Sequence, residues 1–218
     1  MVFGYDIMHL LMRIKILIVS FGVLLDSAQC MAQIDSIYYP DRVLKMTGLR
    51  IEGVRHGEWK YYYSSGQLNA FEWYNQGSLS GPSNSYYPSG ETKSVENYHS
   101  DLLTDSAYYY YPDGQLMRSG LYSKGMYIGE WVSYHPNGKL KHKGGYERGL
   151  PHGYWRTYDE DGVLMQEGNY HSGKEDGQWK FYENGLIVYE GAYKMGVETG
   201  VWFQYNSKGK KKPYRSYP

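Results

Sequence analysis

The histidines and carboxylates are the side chains of this sequence that could carry acid–base or metal chemistry. Metal sites need ligands at fixed spacings, and the histidines after residue 32 share no common spacing: His56, His99, His135, His142, His152 and His171. We therefore expect them on the surface or in turns. The run from Asp159 to Gly162 resembles the start of a calcium loop, but the further ligands that such a loop needs are missing. The same residues suit a hairpin loop.

Several classes of function are excluded by motif and composition. The chain has no nucleophile elbow and no phosphate-binding glycine motif. Cys30 is the single cysteine, which excludes an internal disulfide and a cysteine-based zinc site. The 23 basic and 23 acidic residues cancel, whereas a dedicated nucleic-acid binder needs a basic surface. We predict a protein that is not an enzyme, has no cofactor or metal and binds no nucleic acid.

Aromatic side chains are the other candidates for a functional role. The chain has 27 tyrosines and 6 tryptophans among 218 residues. Exposed aromatic rings stack on sugars or cage choline-like cations, and residues 57–68, GEWKYYYSSGQL, are similar to cell-wall choline-binding repeats. Tyrosine together with 27 glycines also favours a β-rich chain with many tight turns.

A repeat of 24 residues positions these aromatic residues. The repeat starts are 24 residues apart, except for the last, which follows after 23: Gly57, Gly81, Asp105, Gly129, Gly153, Gly177 and Gly200. Five residues after each start stands a tyrosine: Tyr62, Tyr86, Tyr110, Tyr134, Tyr158, Tyr182 and Tyr205. One earlier copy includes Tyr38 and Gly48. The repeats, seven full and one partial, fill residues 33–209 and leave no second domain.

Each repeat has the pattern of a β-hairpin. Residues 139–146 alternate between mixed apolar and mostly polar positions, which is a strand signal. Turn sequences such as Pro-Asn-Gly at 136–138 predict a three-residue hairpin loop with a bulge. The repeat that begins at Gly177 has Asn184-Gly185 instead, a two-residue type I′ signal. Both loops place Tyr134 opposite Leu140 and Tyr182 opposite Ile187.

A second strand register follows from covariation among the repeats. Glycine is paired with tryptophan eleven residues later in five cases: Gly48 with Trp59, Gly120 with Trp131, Gly144 with Trp155, Gly168 with Trp179, and Gly191 with Trp202. In the other two repeats Glu72 precedes Ser83 and Glu96 precedes Ala107. A tryptophan can cover the gap that a strand glycine leaves. We therefore predict that Trp155 lies over Gly144, with a turn near Gly149-Leu150.

The two registers conflict in a regular strand. The tryptophan and the tyrosine three residues later would lie on opposite faces, whereas the two registers place them on one face. A bulge between them would remove the conflict. The predicted fold class is all-β: an elongated single antiparallel sheet of stacked β-hairpins, with about fifteen strands.

The N-terminus has the pattern of a secretory signal peptide. Arg13 and Lys15 precede the apolar run at residues 16–25, which is too short to span a bilayer. We predict cleavage after Ala32, and Met12 is a better start than Met1. An uncleaved anchor and a lipoprotein at Cys30 are the alternatives. The resulting organisation is a signal peptide at 1–32, repeats at 33–209 and a frayed basic tail at 210–218.

The repeat resembles a known family. The pattern Y-x-x-G-x-x-x-G-x-W occurs at Tyr146–Trp155, Tyr170–Trp179 and Tyr193–Trp202. It is similar to the bacterial MORN-repeat variant, many members of which are labelled YwqK-type antitoxins. The resemblance implies stacked antiparallel hairpins in a long curved sheet that contacts proteins or membranes. Ser83 and Ala107 depart from the pattern, and export does not fit an antitoxin that acts in the cytoplasm.

We expect an exported, non-catalytic repeat protein, in the periplasm, outer envelope or medium, whose aromatic surface binds another protein. The alternatives are an antitoxin-like neutraliser of a toxin and a module that binds carbohydrate, cell wall or a lipid surface. The candidate contact residues are Tyr108, Tyr109, Tyr110 and Tyr111, in a region where tryptophan is missing. Four consecutive strand tyrosines place two on each face, and tyrosine is enriched in protein interfaces. Plain packing is the alternative for this run.

Overall fold

Residues 31–218 are the part of the chain that the computed structural model describes. The predicted signal sequence, including Met12 and Cys30, lies outside them, and Ala32 is the first residue of the first strand. Sixteen strands pair in sequence order in one sheet, and every pairing is antiparallel. The predicted fold class is confirmed, with one strand more than the expected fifteen.

The strands are seven to ten residues long and are joined by short turns. Their bounds are β1 Ala32–Tyr38, β2 Leu44–Ile51, β3 Val54–Tyr62, β4 Leu68–Asn75, β5 Ser78–Tyr86, β6 Thr92–His99, β7 Leu102–Tyr110, β8 Leu116–Ser123, β9 Met126–Tyr134, β10 Leu140–Glu147, β11 Leu150–Tyr158, β12 Leu164–His171, β13 Lys174–Glu183, β14 Leu186–Lys194, β15 Val197–Tyr205 and β16 Lys211–Tyr217.

The loops within the repeats have the predicted conformations. The amide of Gly138 donates to the carbonyl of His135, 2.9 Å away, and Gly138 has a φ of 80°. This is a type I turn that ends in a left-handed glycine. The shorter loop has Asn184 at φ 48° and Gly185 at 76°, as a type I′ turn requires. Leu140 pairs with Tyr134 and Ile187 with Tyr182, so this predicted register is present.

The turns between repeats are also two-residue type I′ turns. Arg148 at φ 51° and Gly149 at 83° form the turn between β10 and β11, and Glu147 pairs with Leu150. The expectation of a turn centred at Gly149-Leu150 was one residue too late. Consecutive strands are antiparallel neighbours, so all turns between repeats lie at one end of the strands. The loops within the repeats lie at the other end.

A bulge allows the two predicted registers to coexist. In the β11–β12 hairpin Thr157 pairs with Gln166 and Tyr158 with Leu164, which leaves Met165 as an extra residue. The extra residue is on the second strand, so the first strand keeps its regular alternation. We call the face that carries the repeated tryptophans the tryptophan face. The tyrosine three residues after each tryptophan lies on the opposite face, and the assumption that both share a face was wrong.

The basic C-terminal segment is not frayed, and this expectation was also wrong. Residues Lys211–Tyr217 form β16, and Trp202 of β15 pairs with Arg215. The side chains of β16 are mostly exposed. Lys211 makes an ion pair with Glu190 and lies 3.9 Å from the ring centre of Phe203. These contacts and the backbone ladder order the segment despite its charge.

Candidate binding surfaces

Each repeated tryptophan lies over the glycine that the covariation assigns to it. A Cβ atom added to Gly48, Gly120, Gly144, Gly168 or Gly191 would overlap the indole of the partner tryptophan. The rings are almost completely buried: Trp59, Trp131, Trp155, Trp179 and Trp202 are 0 to 9% exposed. These rings are therefore the core of a single-layer sheet and are closed to a ligand that stacks on an open face.

The indole N–H groups of four of these tryptophans donate hydrogen bonds to the backbone carbonyl of the residue after the paired glycine. Nε1 of Trp155 donates to the carbonyl of Gly145 at 3.0 Å, and the indoles of Trp59, Trp131 and Trp179 make the equivalent bond. Nε1 of Trp202 is buried and has no hydrogen-bond partner among the described residues. The last repeat is thus the one whose tryptophan lacks this bond.

Tyrosines extend the tryptophans into a continuous row of edge-to-face rings. The ring centres of Tyr146 and Trp155 are 5.1 Å apart, those of Trp155 and Tyr170 are 5.9 Å apart, and both pairs are nearly perpendicular. Further contacts of this kind carry the row to Trp202. Such pairs stabilise by about 0.5–1.5 kcal/mol beyond the area that they bury. The row runs from Tyr122 to Trp202.

Where tryptophan is missing, a glutamate with tyrosine hydroxyls fills the space. The hydroxyl of Tyr109 donates to Glu96 at 2.6 Å, and that of Tyr74 donates to Glu72 at the same distance. Burial, and then hydrogen bonding to Glu96, raises the pKa of Tyr109 strongly. Burial also raises the pKa of Tyr98 to about 12. The repeats without tryptophan thus have a different core rather than a decayed one.

The four predicted contact tyrosines have different surroundings. Tyr109 faces the core network, and the hydroxyl of Tyr111 donates to the carbonyl of Tyr134 at 2.9 Å. Tyr111 lies just after β7, so the strand carries three of the four. Tyr110 is half-buried, and Tyr108 is the most exposed at 40%. A role of this run in partner binding stays a prediction, and Tyr108 is the residue best placed for it.

A second ladder of hydrogen bonds links the loops within the repeats. The hydroxyls of Tyr39, Tyr63, Tyr87 and Tyr111 each donate to the carbonyl of the residue 23 positions later, at 2.7 to 2.9 Å. His135 occupies the next position, with Nε2 3.0 Å from the carbonyl of Tyr158. This ladder was not predicted from the sequence, although an aromatic residue at each of these positions was its signal.

Apolar side chains form a row at the end of the strands where the turns between repeats lie. We call it the apolar turn row. Its members are 43 to 68% exposed and each begins a strand that follows a turn between repeats: Val54, Leu102, Met126, Leu150 and Val197. Leu102 covers the turn glycine Gly125, with 3.6 Å between Cδ2 and a Cβ built on that glycine. Ser78 and Lys174 occupy the two other positions. This row was not predicted from the sequence, although the 24-residue spacing of its apolar residues was a signal for it.

The histidines were expected on the surface or in turns and the run from Asp159 to Gly162 in a hairpin loop; the loop is present, whereas His142 is half-buried on a strand. Oδ1 of Asp159 accepts hydrogen bonds from the amides of Asp161 and Val163, within the hairpin loop. His142 packs on Trp155 with ring centres 5.8 Å apart, and burial lowers the pKa of His142. Within residues 31–218 no group of three or more histidine, cysteine or acidic side chains is arranged to hold a metal ion.

The described part of the chain contains no helix that is long and apolar enough to cross a membrane.

Side chains of the last four strands, β13 to β16, line a shallow, aromatic cavity. It has a volume of about 360 Å³ and opens on the tryptophan face. Its aromatic walls are Phe181, Tyr189, Tyr193, Trp202, Tyr214 and Tyr217. Glu198 and Arg215 complete the lining. We call this cavity the C-terminal aromatic pocket.

Comparisons with known proteins agree with the repeat pattern. The family model described as MORN repeat variant matches residues 55–70, 106–124, 127–148 and 151–172. No curated protein matches the chain. Among solved structures, a chain in the crystal structure of TcdB2-TccC3-Cdc42 is 14% identical, with a TM-score of 0.22. The match covers 84% of this chain and 12% of that chain, and it supports no functional conclusion.

Proposed function

We propose that this protein is an exported, non-catalytic repeat scaffold that holds a protein partner along the apolar turn row. The observation that carries the proposal is the row itself. Single exposed apolar side chains are common on protein surfaces, but regularly repeated ones on one edge are not. Neighbouring repeats are about 9.6 Å apart, since each contributes two strands. The row therefore offers anchors at a spacing that side chains of one partner surface can match.

The same structure argues against sugar stacking as the main role of the repeats. Stacking needs an accessible ring face, and the five repeated tryptophans are at most 9% exposed. Trp73, which is 44% exposed, stands outside the repeated position. Formal charge is balanced over the whole chain, at 23 residues of each sign. A protein partner is favoured over nucleic acid and over an anionic lipid surface for this reason.

Three residues of the apolar turn row provide the test of the surface. We expect the combined variant Leu102→Gln, Met126→Gln and Leu150→Gln to lose the partner that cross-links to the native protein in the envelope fraction. A matched control replaces Met165, Leu186 and Val201 by glutamine, because these side chains are also 46 to 61% exposed but lie outside the row. Equal loss in both variants, or retention in the first, would contradict the proposed surface.

Export is tested separately. N-terminal sequencing of the mature protein should begin near Gln33, as cleavage after Ala32 requires. A cytoplasmic protein that retains Met1 or Met12 would overturn the export part of the proposal.

The resemblance to bacterial YwqK-type antitoxins supports a narrower version of the proposed function, in which the partner is a toxin. In that case the captured partner arrests growth when expressed alone, and co-expression of the scaffold restores growth.

A further inference from the structure

The C-terminal aromatic pocket has an internal counterpart in the first full repeat. Gly200 pairs with Tyr217 as Gly57 pairs with Tyr74, so Trp202 and Tyr217 correspond to Trp59 and Tyr74. In that earlier repeat the space between the equivalent rings is filled by the chain's own cation. The guanidinium carbon of Arg55 lies 4.8 Å from the ring centre of Trp59 and 5.1 Å from that of Tyr74.

A second arginine fills a similar aromatic space in the middle of the sheet. The guanidinium carbon of Arg118 lies 4.2 Å from the ring centre of Tyr109 and 5.9 Å from that of Trp131. Planar guanidinium groups stack on aromatic faces and keep their charge at all relevant pH values. The tryptophan face therefore holds arginine side chains at two places where its rings leave room.

The last repeat changes the sign of the charge at the corresponding position. Arg55 stands two residues before Gly57, and Glu198 stands two residues before Gly200. The C-terminal pocket thus has a carboxylate where the first full repeat has a guanidinium, while Arg215, which pairs with Trp202 as Glu72 pairs with Trp59, lines the same cavity. Glu175 occupies the same position one repeat earlier. Burial, and then the charges of Glu198 and Glu175, raises the pKa of Tyr193 in the pocket wall.

We propose that the C-terminal aromatic pocket binds an arginine side chain of a partner polypeptide. Because Trp202 is only 5% exposed, the stacking that Arg55 receives from its own repeat is supplied here by the tyrosine rings of the pocket. Glu198 supplies a charge partner for the guanidinium. The partner polypeptide rests on the function proposed above, whereas the preference for guanidinium is a property of the pocket alone.

Arg215 is the group that opposes this ligand. Its side chain is exposed but also lines the pocket: the guanidinium carbon lies 4.9 Å from the ring centre of Tyr214, and Nη1 donates to the hydroxyl of Tyr217 at 3.5 Å. The positive charge of Arg215 repels a second guanidinium. Removal of this charge therefore strengthens binding of a cationic ligand and leaves binding of a neutral ligand unchanged.

The test is a titration of the purified protein with the capped tripeptide Gly-Arg-Gly, followed by the indole N–H resonances. Gly-citrulline-Gly, which has the same shape without the charge, is the control ligand. We expect the arginine peptide to shift the Trp202 resonance more than those of the other tryptophans, with saturation below about 10 mM. The citrulline peptide should bind at least about five-fold more weakly.

Variants of the pocket give the second measurement. Glu198→Gln should weaken the arginine peptide by about five-fold, and Arg215→Gln should strengthen it. Glu160→Gln, in an exposed loop at another edge, is the matched control and should change nothing. Equal binding of the two peptides, no shift at Trp202, or a shift with N-acetylglucosamine oligomers alone would overturn the proposal. None of these outcomes depends on the apolar turn row, so the two proposals can fail separately.

Discussion

The paired glycine and tryptophan are a steric unit, because any side chain at Gly144 meets the indole of Trp155. Another repeat of this chain has Glu72 and Ser83 at these two positions. There a carboxylate takes the space of the ring, and the hydroxyl of Tyr74 donates a hydrogen bond to it. The two solutions are exclusive, since the carboxylate and the indole need the same volume. Covariation at this spacing therefore reports direct contact.

This exclusion gives a prediction for a double-mutant cycle. Gly144→Glu alone should lower the free energy of unfolding by about 1–3 kcal/mol because it displaces Trp155. Combined with Trp155→Ser it should cost less than the sum of the two single changes, since Tyr146 occupies the position of Tyr74 and can donate to the new carboxylate. Urea denaturation of the four proteins measures the coupling. Gly144→Glu with Trp179→Ser is the control pair and should be additive.

Two neighbouring tyrosines test the glutamate-filled core. Tyr109→Phe should lower the free energy of unfolding by about 1–3 kcal/mol, because the partly buried carboxylate of Glu96 loses its 2.6 Å donor. Tyr108→Phe, on the same strand but 40% exposed, should change stability by less than about 0.5 kcal/mol. Chemical denaturation compares them. Equal effects would show that the hydrogen bond from Tyr109 to Glu96 adds no stability. The partner contact predicted for Tyr108 is tested separately, by binding assays of Tyr108→Ala.

At the scale of the element, each hairpin depends on its neighbours for burial. An isolated two-stranded hairpin is marginally stable in water, and in a single-layer sheet a strand lies between two others. Within residues 31–218 the last strand, β16, pairs with β15 alone. It carries Lys211, Lys212 and Pro213. Lysine and proline on an edge strand hinder its pairing with a strand of another chain.

Removal of β16 tests this guarding role. Deletion of residues 211–218 should expose Trp202 and the unpaired edge of β15, which lacks lysine and proline. We expect a lower melting temperature and concentration-dependent self-association in sedimentation velocity experiments. The control variant Lys212→Ser keeps the strand and should sediment like the native chain. A truncated protein that is as stable and as dispersed as the native one would show that β16 contributes no cover.

At the scale of the whole described sheet, stability is a sum of similar neighbour contacts. Each inner strand pairs with the one before and the one after it, and within residues 31–218 no pairing joins the first strand to the last. The unit that can be removed is therefore one whole repeat of two strands.

Deletion of residues 129–152 should leave a folded sheet, because it joins Ile128 to Gly153 and brings Trp155 eleven residues after Gly120. Deletion of residues 141–152 removes about one strand and should prevent correct folding of the following repeats, since it reverses their direction and removes Gly144, over which Trp155 lies. Circular dichroism and proteolysis distinguish the two proteins. Unfolding of the first variant would contradict the independence of the repeats.

The sequence by itself determined the period, the hairpin loops, both strand registers and the glycine–tryptophan contact. These features depend on spacings of a few to eleven residues, and seven copies of the repeat made them visible without other sequences. Loop residues such as Asn184-Gly185 fix the local backbone by their φ preferences. Physical requirements of this kind act between near neighbours in the chain, so the chain's own pattern records them.

The tertiary structure alone decided which rings are buried and which side chains are open to a partner. Burial of Trp59 and exposure of Leu150 depend on the strands on both sides of each residue. They also depend on the extra residue of each bulge, which shifts the register of one strand of a hairpin and leaves the other strand regular. The ordering of β16 despite its charge and the pocket beside Trp202 depend on the same packing. Spacing along the chain fixes neighbours, whereas exposure depends on everything that surrounds a side chain in space.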